Sequence, residues 1–593
     1  LGIACGSENT VIGQKKGPNV DIILSITSAR AIPSMITYSP KERLYGSEAK
    51  AIQKSNMKTT LKYPMRMLGF QPEWTGFELE QKFSLCKPIV DKMTNRSVYE
   101  VDFKNKMCNI YPEHAMGIYF NKIKGLFANV KENRDISVSV PDFFSVNERQ
   151  AMIDAIKVAD LKLIQLVNES SANTLNYGLF RKGQLDEKIP RIVAFLDVGQ
   201  SKTSVFYSSF TKNHNKVVSV TNERHCGCRD MDYALVEHYA AIFNKQNSCD
   251  PMKNAKCILR MLDTVSQSRK ILTGNLETQV SIESWMDDED LFMTLKREEF
   301  VRIVEPTINK IRATIIKSLE DAKLKPSDIH SIEMVGEGCR TPIIQAIAKE
   351  IYGKEVSKTL APDESVARGV TIFSALSSPM FVIKDYTFEH YNNYTVLIEY
   401  PFIKEGQVQI RTHKIIKKGD NFPTKKSIKF TEKQLPQESI LNIKLKYDET
   451  EVPHMKNQVI NSYEIHLPKI TNDKFEFVLH FCMDINGMPY IEKSALNEYW
   501  FEEEPVVVSK STEVKKDEKK DDKKEEKKDD KKMDIEPEMK KVRKDKSHQC
   551  IINVVEQNYA ISRNVLDNII ALEGQQEKDD KDLNYCQFKR NEV

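Results

Sequence analysis

Two short stretches, far apart in the chain, share one outline. Ala4-Cys5-Gly6-Ser7-Glu8-Asn9-Thr10 and Asp197-Val198-Gly199-Gln200-Ser201-Lys202-Thr203 each continue an apolar run that breaks at a glycine, with polar residues behind it. Such a turn can aim backbone N–H groups at phosphate oxygens. One loop of this kind is weak evidence, because any tight turn after a strand uses glycine. Two of them, each opening one half of an α/β region, predict a duplicated fold that clasps a nucleotide between its halves. A third loop, MVGEGCRTP over 334–342, offers Gly336 and Gly338 after the run SIEMV. The first two loops differ in a carboxylate. Asp197 stands two residues before its glycine, whereas Ala4 holds that place in the first loop.

An alternation of strands and helices must position these loops. In DISVSVPDFF, Ile136, Val138 and Val140 alternate with polar residues, and Pro141 ends the strand. ERQAMIDAIKVAD has a helical period, and LKLIQLVNES reads as a further buried strand. DMDYALVEHYAAIF places Met231, Ala234, Leu235, His238 and Ile242 on one stripe, where His238 reads as a core histidine and not a ligand. Residues 1–376 are therefore predicted to be α/β. From 377 to 508 the chain turns to short β-branched runs such as TVLIEY, ILNIKLKY and YEIHLPKI, which predict an antiparallel β-domain. A charged insertion, expected to be disordered, follows over 509–547. Its centre, KKDEKKDDKKEEKKDDKK at 515–532, has nothing to bury and reads as a solvated linker. In INVVEQNYAISRNVLDNIIALEG, the spacing of Val554, Val555, Ile561, Val565, Ile569 and Ile570 predicts one apolar helical face. Residues 548–593 are thus expected to begin a helical domain that is cut short.

Composition narrows the function classes. The 593 residues carry 88 basic and 85 acidic side chains, which nearly cancel to +3, so no overall field draws nucleic acid or a membrane. No apolar run reaches the roughly 18 residues of a membrane span, and no signal segment is visible in a chain that begins at Leu1. The cysteines number 11 and are scattered. Their closest pair, Cys226 and Cys228, lacks a second pair at zinc spacing, so no metal site of that kind is expected. Unpaired thiols suit a reducing compartment, cytosol or nucleus.

The three loops, together with VPDFFSVNERQAMIDA, LVNESSANTLNYGL and APDESVARGVTI, resemble the nucleotide-binding domain of the heat-shock-70 chaperones, members of the actin-like ATPase superfamily. The likeness runs in order from Leu1 to Leu376. SSPMFVIKDYTFEHY in place of an acidic, leucine-rich linker, IIKKGDNFPTKKSIKF in the β-domain and the charged insertion resemble the heat-shock-110 branch. The resemblance implies an actin-like two-lobed nucleotide-binding domain, then a β-sandwich and the start of a helical domain. It also implies ATP, with Mg2+, between the lobes. Its phosphates would meet Gly6, Ser7 and Asn9 in the first loop and Gly199, Gln200 and Ser201 in the second. Asp197 matches the carboxylate that helps hold metal and water, and Glu169 the acid near the attacking water. Arg269, Lys270 and Thr273 would lie by the adenosine, with Gly336, Gly338, Arg340 and Asp363.

Four positions depart from that pattern. Ala4 replaces the loop-one Asp that orders the metal's water shell, and Met65 stands where the family has a Lys reaching the transferred phosphate. Ser266 falls where a Glu holds the ribose, and Glu337 replaces a Gly of the third loop. Losing one electrostatic contact of this kind costs about 2.7–4 kcal/mol of barrier. Efficient hydrolysis is therefore not expected, and Glu169 and Asp197 read as vestigial. Binding is a separate matter, favoured by the loop amides and opposed by Glu337. The branch implies a nucleotide-exchange factor that embraces a heat-shock-70 partner and restrains unfolded clients. One rival is a nucleotide-independent holdase with a vestigial site, which Ser266 and Glu337 favour. Another is an active ATP-driven folding chaperone, which Ala4, Met65 and the missing leucine-rich linker oppose.

Overall fold

The apolar run Gly2–Cys5 becomes a strand with every residue buried, and its pairing organises the first half of the molecule. It runs parallel to Asp135–Val140, with Ile3 opposite Val138, and antiparallel to Asn9–Lys16. Lys162–Asn168 and Asn19–Ile23 extend this sheet on its two sides. The helix Ser365–Leu376 lies so close across it that a Cβ at Gly2 would collide with Thr371. In the computed structural model the described residues are 1–17, 19–127, 135–377, 386–431, 434, 439–469, 471, 474–505, 539–557 and 560–592. The second half repeats the plan. Arg191–Val198 pairs antiparallel with Thr203–Phe210 and parallel with Ser331–Val335, placing Asp197 opposite Val335. His214–Glu223 follows, and Thr387–Glu389 adds to it in parallel. The expected strands and helices of the two lobes are present, and the fold is the α/β, actin-like pair of lobes that the sequence predicts. His238 is half-buried, 3.9 Å from Glu299.

The β-domain is a sandwich of two antiparallel sheets. Gln407–Ile416, Val396–Lys404, Ile440–Tyr447, Val459–His466 and Ile551–Gln557 form one, in that order. Thr424–Thr431, Phe475–Met483, Pro489–Pro505 and Met539–Gln549 form the other. Inward residues of both, including Ile398, Ile443, Ile465, Phe477 and Leu496, fill the space between them.

Two expectations fail here. Residues 539–547, read as solvated insertion, are part of a strand, and the helix expected from 548 starts only at Arg563. The charged run KKVRKDKSHQ pairs because its register sets opposite charges across the ladder: Lys541 faces Glu503, and Lys546 faces Glu498. Ile551, Ile552, Val554 and Val555 are β-branched, and pairing with Val459–His466 overrides their helical spacing. Of the six residues expected on one helical face, Ile561 and Ile569 do pack, against Val158 of the first lobe, with Val565 beside them. Val554, Val555 and Ile570 are exposed. Residues 515–532 and 378–385, which carry most of the linker-like segment, lie outside the described residues. Among the described residues, no helix is long and apolar enough to cross a membrane.

Both later parts sit on the first lobe. Tyr394 donates its hydroxyl to the Phe143 carbonyl (2.7 Å), the Tyr447 hydroxyl accepts from the Val146 amide (2.8 Å), and Asn486 accepts from Leu166 N–H and Arg149. The helix Arg563–Glu592 is fastened by a buried ionic cluster. Arg43 meets Glu573 at 2.6 Å and Asp580 at 2.7 Å, while Lys122 reaches Asp580 at 2.7 Å and Asn121 donates to Glu573. Burial alone would raise the Glu573 carboxyl, but a hydrogen bond from His114 and the Arg43 guanidinium bring it down to about 2. A folded pKa below the ordinary 4.5 means that this clamp is fully present above about pH 4.5 and is lost as pH falls toward 2. At neutral pH, Arg43→Ala takes the guanidinium from buried Glu573 and leaves Asp580 with Lys122 alone, and it is expected to cost about 3–5 kcal/mol. Denaturant titration measures the loss, and hydrogen exchange over 563–580 should report release of the helix. Unchanged protection in the variant contradicts the clamp.

Candidate interlobe site

The three loops meet where the lobes face each other. The strand Arg191–Val198 delivers Asp197 at its end, and the strand Lys162–Asn168 delivers Glu169 from the other lobe. Both carboxylates are buried, and a third side chain lies between them. Lys202 Nζ is 2.7 Å from Asp197 Oδ2 and 2.7 Å from Glu169 Oε2, and it also donates to Ser204 Oγ at 3.3 Å. Burial would lower the Lys202 ammonium's pKa, but Asp197 and then Glu169 reverse this and hold it protonated. Burial pushes Glu169 up to about 7, against the pull of Lys202 and with a push from Asp197. One cation serves two carboxylates.

The loops also touch directly. Ser7 Oγ and Ser201 Oγ are 2.7 Å apart, a hydrogen bond from lobe to lobe. The Gly6 amide donates within its own loop to the Asn9 carbonyl (3.0 Å), and the Gly199 amide to the Lys202 carbonyl (2.9 Å). The third loop packs against Asp197: Gly336 has φ +77°, and a Cβ there would stand 2.5 Å from Asp197 Oδ1, so only glycine fits.

The expected phosphate-side residues gather around one cavity of about 140 Å³. Gly6, Ser7, Asn9, Gly199, Gln200 and Ser201 line it with Glu169, Asp197, Ala4 and Met65, and so do Gly336 and Asp363, which the resemblance puts beside the adenosine. Arg269, Lys270, Thr273, Gly338 and Arg340 do not line it. Arg269 is buried against Asp232 through two contacts of 2.7 and 3.2 Å. Thr273 donates its hydroxyl to the Lys270 carbonyl (2.7 Å). Lys270 pairs with Glu337 at 2.7 Å and Arg340 with Asp363 at 2.9 Å, so Glu337 adds an ion pair where the resemblance expects a bare glycine. Gly338 packs on Val198 and Cys228.

Two residues of the site escaped the sequence reading. Lys202 stands in the second loop, just before the strand Thr203–Phe210, where its type offers a cation but its direction is set only by the fold. Glu8, in the first loop, faces a larger cleft of about 960 Å³ shared with Lys50, Lys62, Ser266 and Lys270. Burial would raise its carboxyl, but Lys62 and then Lys50 hold it below the ordinary range. Met65 forms apolar wall. The neighbouring Arg66 turns away to Glu80 (2.6 Å), which also takes two contacts from Arg229 of the other lobe at 2.7 and 2.8 Å.

This arrangement does not fit a magnesium nucleotide. The carboxylates that would order metal and water are engaged by Lys202, and Ala4 contributes none. Phosphates would have to part Ser7 from Ser201, whose hydroxyls are 2.7 Å apart. Among the described residues, no cluster of three His, Cys, Asp or Glu groups could hold a metal ion.

Twin α/β lobes with loops meeting at their cleft, and a β-sandwich docked on the first lobe, define an actin-like nucleotide-binding domain joined to a chaperone-type β-domain. The comparison of sequences agrees: the chain belongs to the Hsp70 protein family, whose model matches residues 1–590. A heat shock protein homolog of Saccharomyces cerevisiae is 27% identical over 599 residues, covering 100% of this chain and 82% of the relative. Heat shock protein hsp88 of Neurospora crassa is 29% identical, covering 87% of this chain and 74% of the relative. A heat shock protein homolog of Lachancea kluyveri is 29% identical, covering 72% of this chain and 62% of the relative. These relatives place the chain in the heat-shock-110 branch.

Restoring the two family residues should not restore turnover. Ala4→Asp with Met65→Lys is expected to leave ATP hydrolysis at background in a phosphate-release assay. Lys202 still occupies Glu169 and Asp197, and Ser266 and Glu337 still alter the adenosine side. A double variant as fast as a heat-shock-70 chaperone overturns this account.

Proposed function

We propose that this heat-shock-110-type chaperone is a nucleotide-exchange factor that speeds ADP release from a heat-shock-70 partner, holds unfolded clients against aggregation, and does not itself hydrolyse ATP. The observation that carries the proposal is a two-lobed body kept whole around a site stripped of its chemistry. Ala4 and Met65 remove the charges that phosphoryl transfer needs, while the loops, the crossing ion pairs and the docked β-domain persist. Exchange requires no chemistry in the factor. It needs only a surface that binds the partner's open state better than its closed state, since that preference alone shifts the equilibrium. Client restraint suits the β-domain's edges: Val408 and Ile410 are exposed on one edge strand of its five-stranded sheet, and Ile551, Val554 and Val555 on the other. The eleven cysteines are free thiols, which supports work in the cytosol or nucleus.

A second reading, a nucleotide-independent holdase or interaction protein with a vestigial ATP site, is favoured by the Lys270–Glu337 pair and the small phosphate-side cavity. Stopped-flow release of a fluorescent ADP from a purified heat-shock-70 chaperone separates the two. Acceleration on adding this protein, with or without ATP, is the expected outcome. No acceleration under either condition removes the exchange reading and leaves the holdase.

A further inference from the structure

The interlobe site poses a problem that its family resemblance does not solve. Glu169 and Asp197 come from opposite lobes and are both buried, so without a cation between them they would repel across the cleft. In a metal-nucleotide site the ligand brings that positive charge. Here the protein brings it. Lys202 starts from the second loop of one lobe and reaches a carboxylate on each, at 2.7 Å and 2.7 Å, with its side chain buried. Removing an ammonium from water costs several kcal/mol, and such a group persists only where close partners offset that cost. Two carboxylates and the Ser204 hydroxyl supply these partners.

Around this contact the closed arrangement is tied by the protein's own groups. Ser7 and Ser201 hydrogen-bond where phosphates would run between the loops. Arg229 crosses to Glu80, Arg224 crosses to Glu148, and Lys54 reaches Asp263 at 2.9 Å. The adenosine side carries the Lys270–Glu337 pair at 2.7 Å. No contact in this set depends on a ligand.

We propose that Lys202 is the resident cation of the interlobe site. It takes the electrostatic place of a bound metal with its nucleotide and keeps the lobes closed in their absence. The lysine acts as a positioning residue and performs no chemistry. This inference goes beyond the exchange reading and stands or falls separately from it, because it concerns the chain alone.

The test uses the full chain, with hydrogen exchange of the peptides spanning Ser7 and Ser201 and a distance label on each lobe. In the native protein, neither EDTA, Mg2+ nor Mg2+ with ATP should change loop protection or the distance between lobes. Lys202→Met should expose both loops, raising their exchange about tenfold or more. Millimolar Mg2+ should then reverse the effect in the variant, because the two freed carboxylates accept an external cation. A variant that is only less stable would lose protection throughout and would not respond to Mg2+, which overturns the proposal. So would a folded Lys202→Met protein with loops as protected as the native ones. Should Lys202→Met fail to fold, the native protein decides: closure of its lobes on adding Mg2+ with ATP, or opening in EDTA, defeats the inference, and insensitivity to both supports it. Lys202→Arg, which keeps the charge, should retain protected loops without Mg2+.

Discussion

Two buried carboxylates from opposite lobes share one ammonium, and the geometry of the interlobe region follows from that sharing. Glu169 and Asp197 each stand where a strand of their own sheet reaches the cleft, so the paired lobes bring them face to face. Lys202 makes that approach tolerable. Once the strand ends are this close, the loops beside them meet as well, which brings Ser7 and Ser201 to 2.7 Å. The third loop then has to pass beside Asp197 with no side chain at 336, and Gly336 in its left-handed conformation satisfies this. The small cavity that remains is a consequence of these contacts.

The same closure reaches the β-domain through packed groups. Glu80 accepts from Arg66 of its own lobe and from Arg229 of the other, and its carboxyl is held well below the ordinary range despite burial. Beside this knot, Arg224 of the second lobe bonds Glu148 and lies 4.5 Å over the ring of Phe143. Phe143 in turn accepts from Tyr394 at the start of the sandwich, and Trp74 stands edge-on to His454. Burial of His454, with Arg224 near it, brings that imidazole down to about 4, so it is neutral at physiological pH and adds no charge to the joint. Movement between the lobes would therefore disturb the contacts that seat the β-domain.

What the sequence disclosed was local. Ile136, Val138 and Val140 alternate and form a strand; Gly6, Gly199 and Gly336 end strands and mark the loops; Ala4 and Met65 reveal missing charges by type alone. Lys202 was visible as a lysine but not as a counter-ion, because the carboxylate on the far lobe is supplied by a segment whose position only the fold determines. The strand Met539–Gln549 was obscured for a similar reason. Its Lys541 and Lys546 read as solvent-exposed charge until Glu503 and Glu498 are placed opposite them. Val554 and Val555 fit a helical period and a strand equally well, and the ladder with Val459–His466 decided between them. Ile561 and Ile569 did forecast a packed helical face, yet the Arg43 cluster that fastens the helix joins residues from opposite ends of the chain.

A tethered cation and a dissociable one differ in what they allow. A site closed by metal and nucleotide has its open and closed populations set by ligand concentration, and hydrolysis or release can drive a cycle. A lysine anchored in the loop is always at the site, so closure carries no concentration dependence and no cycle can be run through it. That exchange is unsuitable for a chaperone that must grip and release by turnover. It suits a protein whose contribution is a fixed shape, for which a second, open state would only subtract from the population able to bind. The helix held by Arg43, Glu573 and Asp580 extends the same logic outward: it fastens a further element to the first lobe with buried charge pairs drawn entirely from this chain.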